Sequence, residues 1–218
     1  MVFRDVGTWG GARDGAGRKR RPGGVAHVRR EEVSRHDPRL VTIKRARGLR
    51  RLRTLLAAPV ILECIAGAQA AGFRITHYSI QNTHVHLLVE AEDNEGYSRA
   101  MRGFVGALAR GLNRVWERRG CVFPERFHDR ALRSVRAVRN AIKYVLNNYL
   151  KHGGEVGYSR GGRRMPDPYS SGRYFDGWHG FVAEEAPGSV VVKGCWKSSV
   201  GWKRHYPLIS LGAAPGCT

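Results

Sequence analysis

Residues 74–90 read RITHYSIQNTHVHLLVE, and this stretch decides how the rest of the chain is organised. Two runs rich in β-branched, aromatic and aliphatic residues, 74–81 and 84–90, flank the dipeptide Asn82-Thr83. Strand-forming runs joined by so short a polar connection read as an antiparallel hairpin. Side chains two apart in a strand share a face. Val85, Leu87 and Val89 therefore turn toward a core, and His84 and His86 turn together to the other side.

Working outward, Leu40-Val41-Thr42-Ile43 reads as a strand. Beyond Pro59, which suits a first helical turn, Val60, Leu62, Ile65 and Ala66 fall at helical spacing until Gly72 closes the segment. Downstream, the longest helical pattern spans 98–119, with Ser98 as its cap, Phe104, Leu108, Leu112 and Val115 on one face, and Gly120 as its stop. Residues 122–132 read as a fourth strand, and 134–152 as a last helix ended by Gly153-Gly154. The order β-α-β-β-α-β is the ferredoxin-like split-βαβ plan: an α+β fold with an antiparallel four-stranded sheet and helices on one face. The final helix is an addition to that plan, and the other sheet face is expected to stay free.

This plan occupies residues 38–152 of 218. Residues 1–37 contain GGARDGAGRKRRPGG, too poor in apolar surface to offset ordering entropy, and are expected to form a flexible basic arm. Residues 153–218 carry the Gly- and aromatic-rich stretches DPYSSGRYFDGW and CWKSSVGWKRHY without periodicity, and no fold is assigned to them. Lys and Arg number 38 against 18 acids, a net charge of +20. Such an excess favours a polyanionic partner, above all nucleic acid; an anionic membrane surface or merely an Arg-rich soluble surface are the bland alternatives. No run of 18 apolar residues and no apolar h-region occur, so a cytoplasmic protein without a membrane partner is expected. The four cysteines form no C-x-x-C pair and read as free thiols.

On a rigid strand, His84 and His86 stand about 6 to 7 Å apart on one side, where both can reach a single metal ion. An H-x-H pair that only packs or hydrogen-bonds is the competing reading. The last helix supplies context. At 100° per residue, Val138, Ile142, Val145 and Tyr149 cluster into a buried stripe. Tyr144 lies about 130° from that stripe, with Asn148 one turn below it and Asn140 one turn above. Packing accounts for Tyr149 better than for Tyr144. A tyrosine that attacks phosphorus conserves bond energy in a phosphotyrosine link, so cutting and resealing need no ATP. A divalent ion on His84 and His86, with Asn148 as a third, oxygen ligand, would polarise the scissile phosphate; mixed N/O ligation suits Mg²⁺ or Mn²⁺.

The segment Asn82-Thr83-His84-Val85-His86-Leu87-Leu88-Val89-Glu90 resembles the His-hydrophobic-His strand of HUH endonucleases, and Tyr144-Val145-Leu146-Asn147-Asn148 resembles the Tyr-x-x-x-Asn/Gln helix of single-tyrosine, IS200-like transposases. Among these the REP-associated tyrosine transposases are the nearest in pattern, over about residues 36–152. The resemblance implies Tyr144 as catalytic nucleophile, His84, His86 and Asn148 as the metal site, and single-stranded, hairpin or palindromic DNA cut through a 5′-phosphotyrosine intermediate. It leaves monomer or homodimer open. Relatives follow the helix Asn with Pro, whereas this chain has Tyr149, so its helix is expected to run on toward Gly153.

Candidate phosphate contacts are Arg110 and Arg114 on the basic side of the long helix, which is a solvated face in the alternative reading. Arg126, His128, Arg130 and Arg133 around the fourth strand and Lys143 beside Tyr144 complete the set. Phe127 is assigned to the core, and the C-terminal aromatics either stack on bases or clamp the tail onto the domain. Two other functions fit parts of the pattern: a domesticated relative that binds structured DNA without cutting it, and an unrelated RNA-binding module on the same common fold.

Overall fold

The computed structural model describes residues 31–152, 159–160, 163–188, 190 and 192–213. Most of the basic arm expected over 1–37 lies outside them. The hairpin is present as β2 (Phe73–Ile80) and β3 (His84–Ala91), closed by a hydrogen bond from the Gln81 amide to the His84 carbonyl oxygen. Strand β1 (Arg39–Lys44) lies antiparallel on the other side of β3, and short β4 (His128–Ala131) pairs with β1. The sheet order is β2-β3-β1-β4. Helix α1 (Ala57–Ala68) joins β1 to β2, α2 (Asn94–Val115) joins β3 to β4, and α3 (Val135–Asn147) follows β4. This is the α+β, split-βαβ order read from the sequence.

Strand β2 keeps its apolar residues on one face only because it is bulged. Ile75 pairs with Val89 and His77 with Leu88, so one extra residue is accommodated between them. Phe73 and Ile75 before the bulge and Tyr78 and Ile80 after it then reach the same core. That core packs Val41, Ile43, Val85, Leu87 and Val89 against Ile61 and Ile65 of α1 and Tyr97, Met101, Phe104, Leu108 and Leu112 of α2. Phe127 packs at its border, as expected. At the sheet edge, Arg39 and Asp129 form a buried ion pair at 2.8 Å, and the Tyr97 hydroxyl donates to the same carboxylate, fixing β4 where only four residues pair.

Three local expectations are corrected. Helix α2 begins at Asn94, not at Ser98, because the Asp93 carboxylate accepts the Gly96 amide and caps the first turn. The fourth strand is confined to His128–Ala131; Pro124 lacks the amide a ladder needs. The last helix, capped by Ser134, ends as α-helix at Asn147 and continues as a 3-10 turn over Asn148–His152.

The other sheet face is not free. Leu40 and Leu88 point to it, and it is covered by Val138, Ala141, Ile142, Val145 and Leu146 of α3 together with Phe175, Trp178, Trp202 and Ile209 from the C-terminal region. The amphipathic stripe of α3 had to bury somewhere, and burying each large apolar side chain contributes about 1.5–3 kcal/mol. Phe175, Trp178 and Trp202 therefore act as the clamp rather than as exposed stacking platforms, while Trp196 stays half exposed. The region comprises a two-residue hairpin, β5 (Ser159–Arg160) and β6 (Arg163–Arg164), a parallel pair, β7 (Trp178–His179) and β8 (Ile209–Ser210), and short helix α4 (Trp202–His205). Buried polar groups tie it down. Arg53 pairs with Asp167 (2.8 Å), and the Glu90 carboxylate accepts the Cys195 amide (2.8 Å) and the Ser198 hydroxyl. Cys64, Cys121 and Cys195 are free thiols; Cys217 lies outside the described residues. No helix of the described residues is long and apolar enough to cross a membrane.

Candidate active site

The β-sheet register places His86 between two hydroxyl residues, Ser79 on β2 and Thr42 on β1, with His128 of β4 level with them beyond Thr42. Registered partners share a face, so this row lies on the side covered by α3. His86 is buried, and its Nδ1 sits 2.9 Å from the Thr42 hydroxyl. His84, half-buried, has its Nδ1 3.0 Å from the Thr83 hydroxyl. The two imidazole centroids are 4.5 Å apart, closer than strand spacing alone suggests. With a hydroxyl oriented at each Nδ1, Nε2 is the nitrogen each ring presents for ligation, the arrangement that fixes ring orientation in metal sites.

Helix α3 crosses this row and brings Tyr144 to it. The Tyr144 hydroxyl is 3.4 Å from His86 Nε2, and the rings meet edge to face with centroids 5.0 Å apart. Tyr144 is half-buried, at the border of the apolar cluster, and burial pushes its phenol pKa above the ordinary value. Tyr149, by contrast, is buried in the turn beyond α3.

One turn after Tyr144, Asn148 is fully buried, and both Oδ1 and Nδ2 lack a hydrogen-bond partner among the described residues. An orphaned buried amide costs about 1–3 kcal/mol and calls for an explanation. A cation on Oδ1 would account for that oxygen, though not for Nδ2; two imidazoles and an amide oxygen are a donor set that suits a divalent ion. Neighbouring Asn147 donates from Nδ2 to the Ser210 and Ala213 carbonyl oxygens, while its Oδ1 also lacks a hydrogen-bond partner among the described residues.

The remaining expected residues divide. His128 and Arg130 are exposed on β4 and register with Thr42 and Leu40, on the face of His86; Lys143 precedes Tyr144 on α3. Arg133 is exposed at the β4–α3 link, 3.5 Å from the Glu31 carboxylate. Arg110 and Arg114 line a groove between α1 and α2, on the opposite side of the sheet from the histidines, and Arg126 sits against α2 near Met101 and Arg102. These three are not brought to Tyr144. The sequence reading missed Thr42 and Thr83. Thr83 directly precedes His84 and was within reach of inspection, but Thr42 is identified only by the register of β1 on β3.

The backbone places a His-hydrophobic-His strand at the centre of the sheet and a tyrosine helix across it. The fold is similar to that of a solved REP-associated tyrosine transposase. A solved structure of such a transposase, bound to a REP hairpin, matches this chain with a TM-score of 0.52 over 78% of this chain and 100% of that one. The identity is 17%, so the likeness is one of fold. No family model and no curated protein sequence matches the chain.

Proposed function

We propose that this chain is a single-stranded DNA transesterase of the REP-associated tyrosine transposase kind, with Tyr144 as nucleophile and a hairpin or palindromic substrate. One observation carries the reading: the hydroxyl of Tyr144 meets an H-x-H pair whose other ring nitrogens are held by hydroxyls. The fold it shares with a hairpin-bound transposase and the net charge of +20 support a DNA partner.

In the reaction, Tyr144 Oη forms a bond to phosphorus, the P–O3′ bond breaks, and the departing 3′-oxygen takes up a proton; an incoming 3′-hydroxyl reverses the step and releases the tyrosine. His84, His86 and Asn148 would hold a divalent cation, Mg²⁺ or Mn²⁺, whose chemistry is to polarise the phosphate oxygens. A phenol holds its proton at neutral pH and burial strengthens that hold, so Tyr144 must pass the proton on during attack. His86 Nε2 cannot both accept that proton and ligate, so the phenol and the cation compete for one nitrogen. His128, Arg130 and Lys143 would meet phosphates, whereas Arg110, Arg114 and Arg126 would contact DNA only along a path around the sheet edge.

The test is a denaturing gel of the protein with labelled single-stranded hairpins and Mg²⁺ or Mn²⁺, run with Tyr144→Phe. A metal-dependent covalent adduct confined to the wild type is expected. Bound DNA without an adduct would replace this reading with that of a non-cutting DNA binder.

A further inference from the structure

A groove of about 380 Å³ opens between α3 and β8, and Arg139, Lys143, His179, Leu208 and Ser210 line it. It contains two cations and an exposed imidazole, and among the described residues no acidic side chain lines it. Its wall is held to α3 at two levels. Arg139 donates from Nε (3.1 Å) and Nη2 (3.0 Å) to the Pro207 carbonyl oxygen, and Asn147 donates to Ser210 and Ala213 one strand step further on. The C-terminal region thus does more than clamp the sheet: its last described turn and α3 together form a cationic trough beside the helix that carries Tyr144.

Lys143 and Tyr144 occupy adjoining faces of one helix turn. A strand that passed over α3 from the tyrosine would enter the trough, where charge would meet phosphate and the exposed Leu208 side chain would meet sugar. The trough is far too small for a duplex. We propose that it binds the phosphate backbone of the single strand next to the scissile phosphate, without reading sequence; this rests on the transesterase reading above.

The experiment is fluorescence anisotropy of the full chain with labelled oligothymidine in EDTA, titrated at several NaCl concentrations. Lys143→Gln is expected to weaken binding about fourfold near 0.15 M NaCl and to lower the slope of log K against log[NaCl] by about 0.7, the loss of one phosphate contact on a single strand. Leu208→Glu, which puts an acid in the trough at an exposed position, is expected to weaken binding at least as much. Leu55→Glu, at a still more exposed position just before α1, is expected to match the wild type. Trough variants that bind like Leu55→Glu, or a wild type that does not bind oligothymidine, would overturn the trough proposal. Adduct formation on hairpin DNA would stand or fall separately, on the gel.

Discussion

The hydroxyl of Tyr144 lies 3.4 Å from Nε2 of His86, joining α3 to β3 across 58 residues of sequence. Replacing Tyr144 by Phe removes the nucleophile and the competitor for that nitrogen together. Tyr144→Phe is therefore expected to form no covalent adduct, to bind single-stranded DNA within about twofold of wild type, and to bind Mn²⁺ at least as tightly by calorimetry. Tyr149→Phe keeps the adduct, since that ring is buried beyond the helix. The opposite pattern in the two variants would reverse the assignment.

Asn148 separates a ligand from a structural residue. Its buried amide has no hydrogen-bond partner among the described residues, so Asn148→Ala should leave the urea midpoint unchanged or raised, relieving up to about 1–3 kcal/mol. Mn²⁺ affinity should fall about tenfold or more, as it should in His84→Ala. A large loss of stability with unchanged metal affinity would assign Asn148 to the fold alone.

His77 sets an acid limit on stability. Buried against Phe175, with Nδ1 3.3 Å from the Ser171 hydroxyl, it is held neutral, its pKa lowered to about 4 chiefly by desolvation. In the unfolded chain the ring titrates near its ordinary value of 6.5, so the unfolded state binds more protons as pH falls from there toward about 4. Stability is full above the upper value and is lost through that window, by about 2 kcal/mol between about pH 7 and about pH 5. Urea titrations at the two pH values should show this loss in the wild type and a smaller one in His77→Leu, in which Ser171 still bonds to Tyr78. An equal loss in both would remove His77 from the account.

The Arg53–Asp167 pair ties the C-terminal region to the segment between β1 and α1. Asp167 is fully buried and also accepts the Tyr169 amide at 3.0 Å, while Arg53 packs over the Tyr169 ring. Asp167→Asn leaves a largely buried guanidinium without its counter-charge and should cost about 3 kcal/mol. Urea unfolding measures this, and limited proteolysis should show cleavage after residue 152 ahead of the domain. A change under about 0.5 kcal/mol would mean that Arg53 finds water instead.

Local pattern carried the sheet and the residues that meet at the candidate site. The alternation of Val85, Leu87 and Val89 with His84 and His86 is a property of a strand by itself, and the angular offset of Tyr144 from Val138, Ile142 and Val145 is a property of a helix by itself. Neither depends on what lies opposite. What depended on it was misread or unseen: the start of α2, where the Asp93 side chain outcompetes Ser98 as cap, and the sheet face expected to be free. Phe175, Trp178 and Trp202 show no period, because a region folded on a partner surface takes its spacing from that surface rather than from its own helix or strand. Sequence alone determined the four-stranded α+β plan, the histidine pair and the distinction between Tyr144 and Tyr149, all short-range consequences of backbone geometry. Only tertiary structure decided that Thr42 holds His86, that Asn148 is buried without a hydrogen-bond partner among the described residues, and that Arg110 and Arg114 lie across the sheet from the tyrosine. Those facts follow from strand register and layer order, which long-range packing sets.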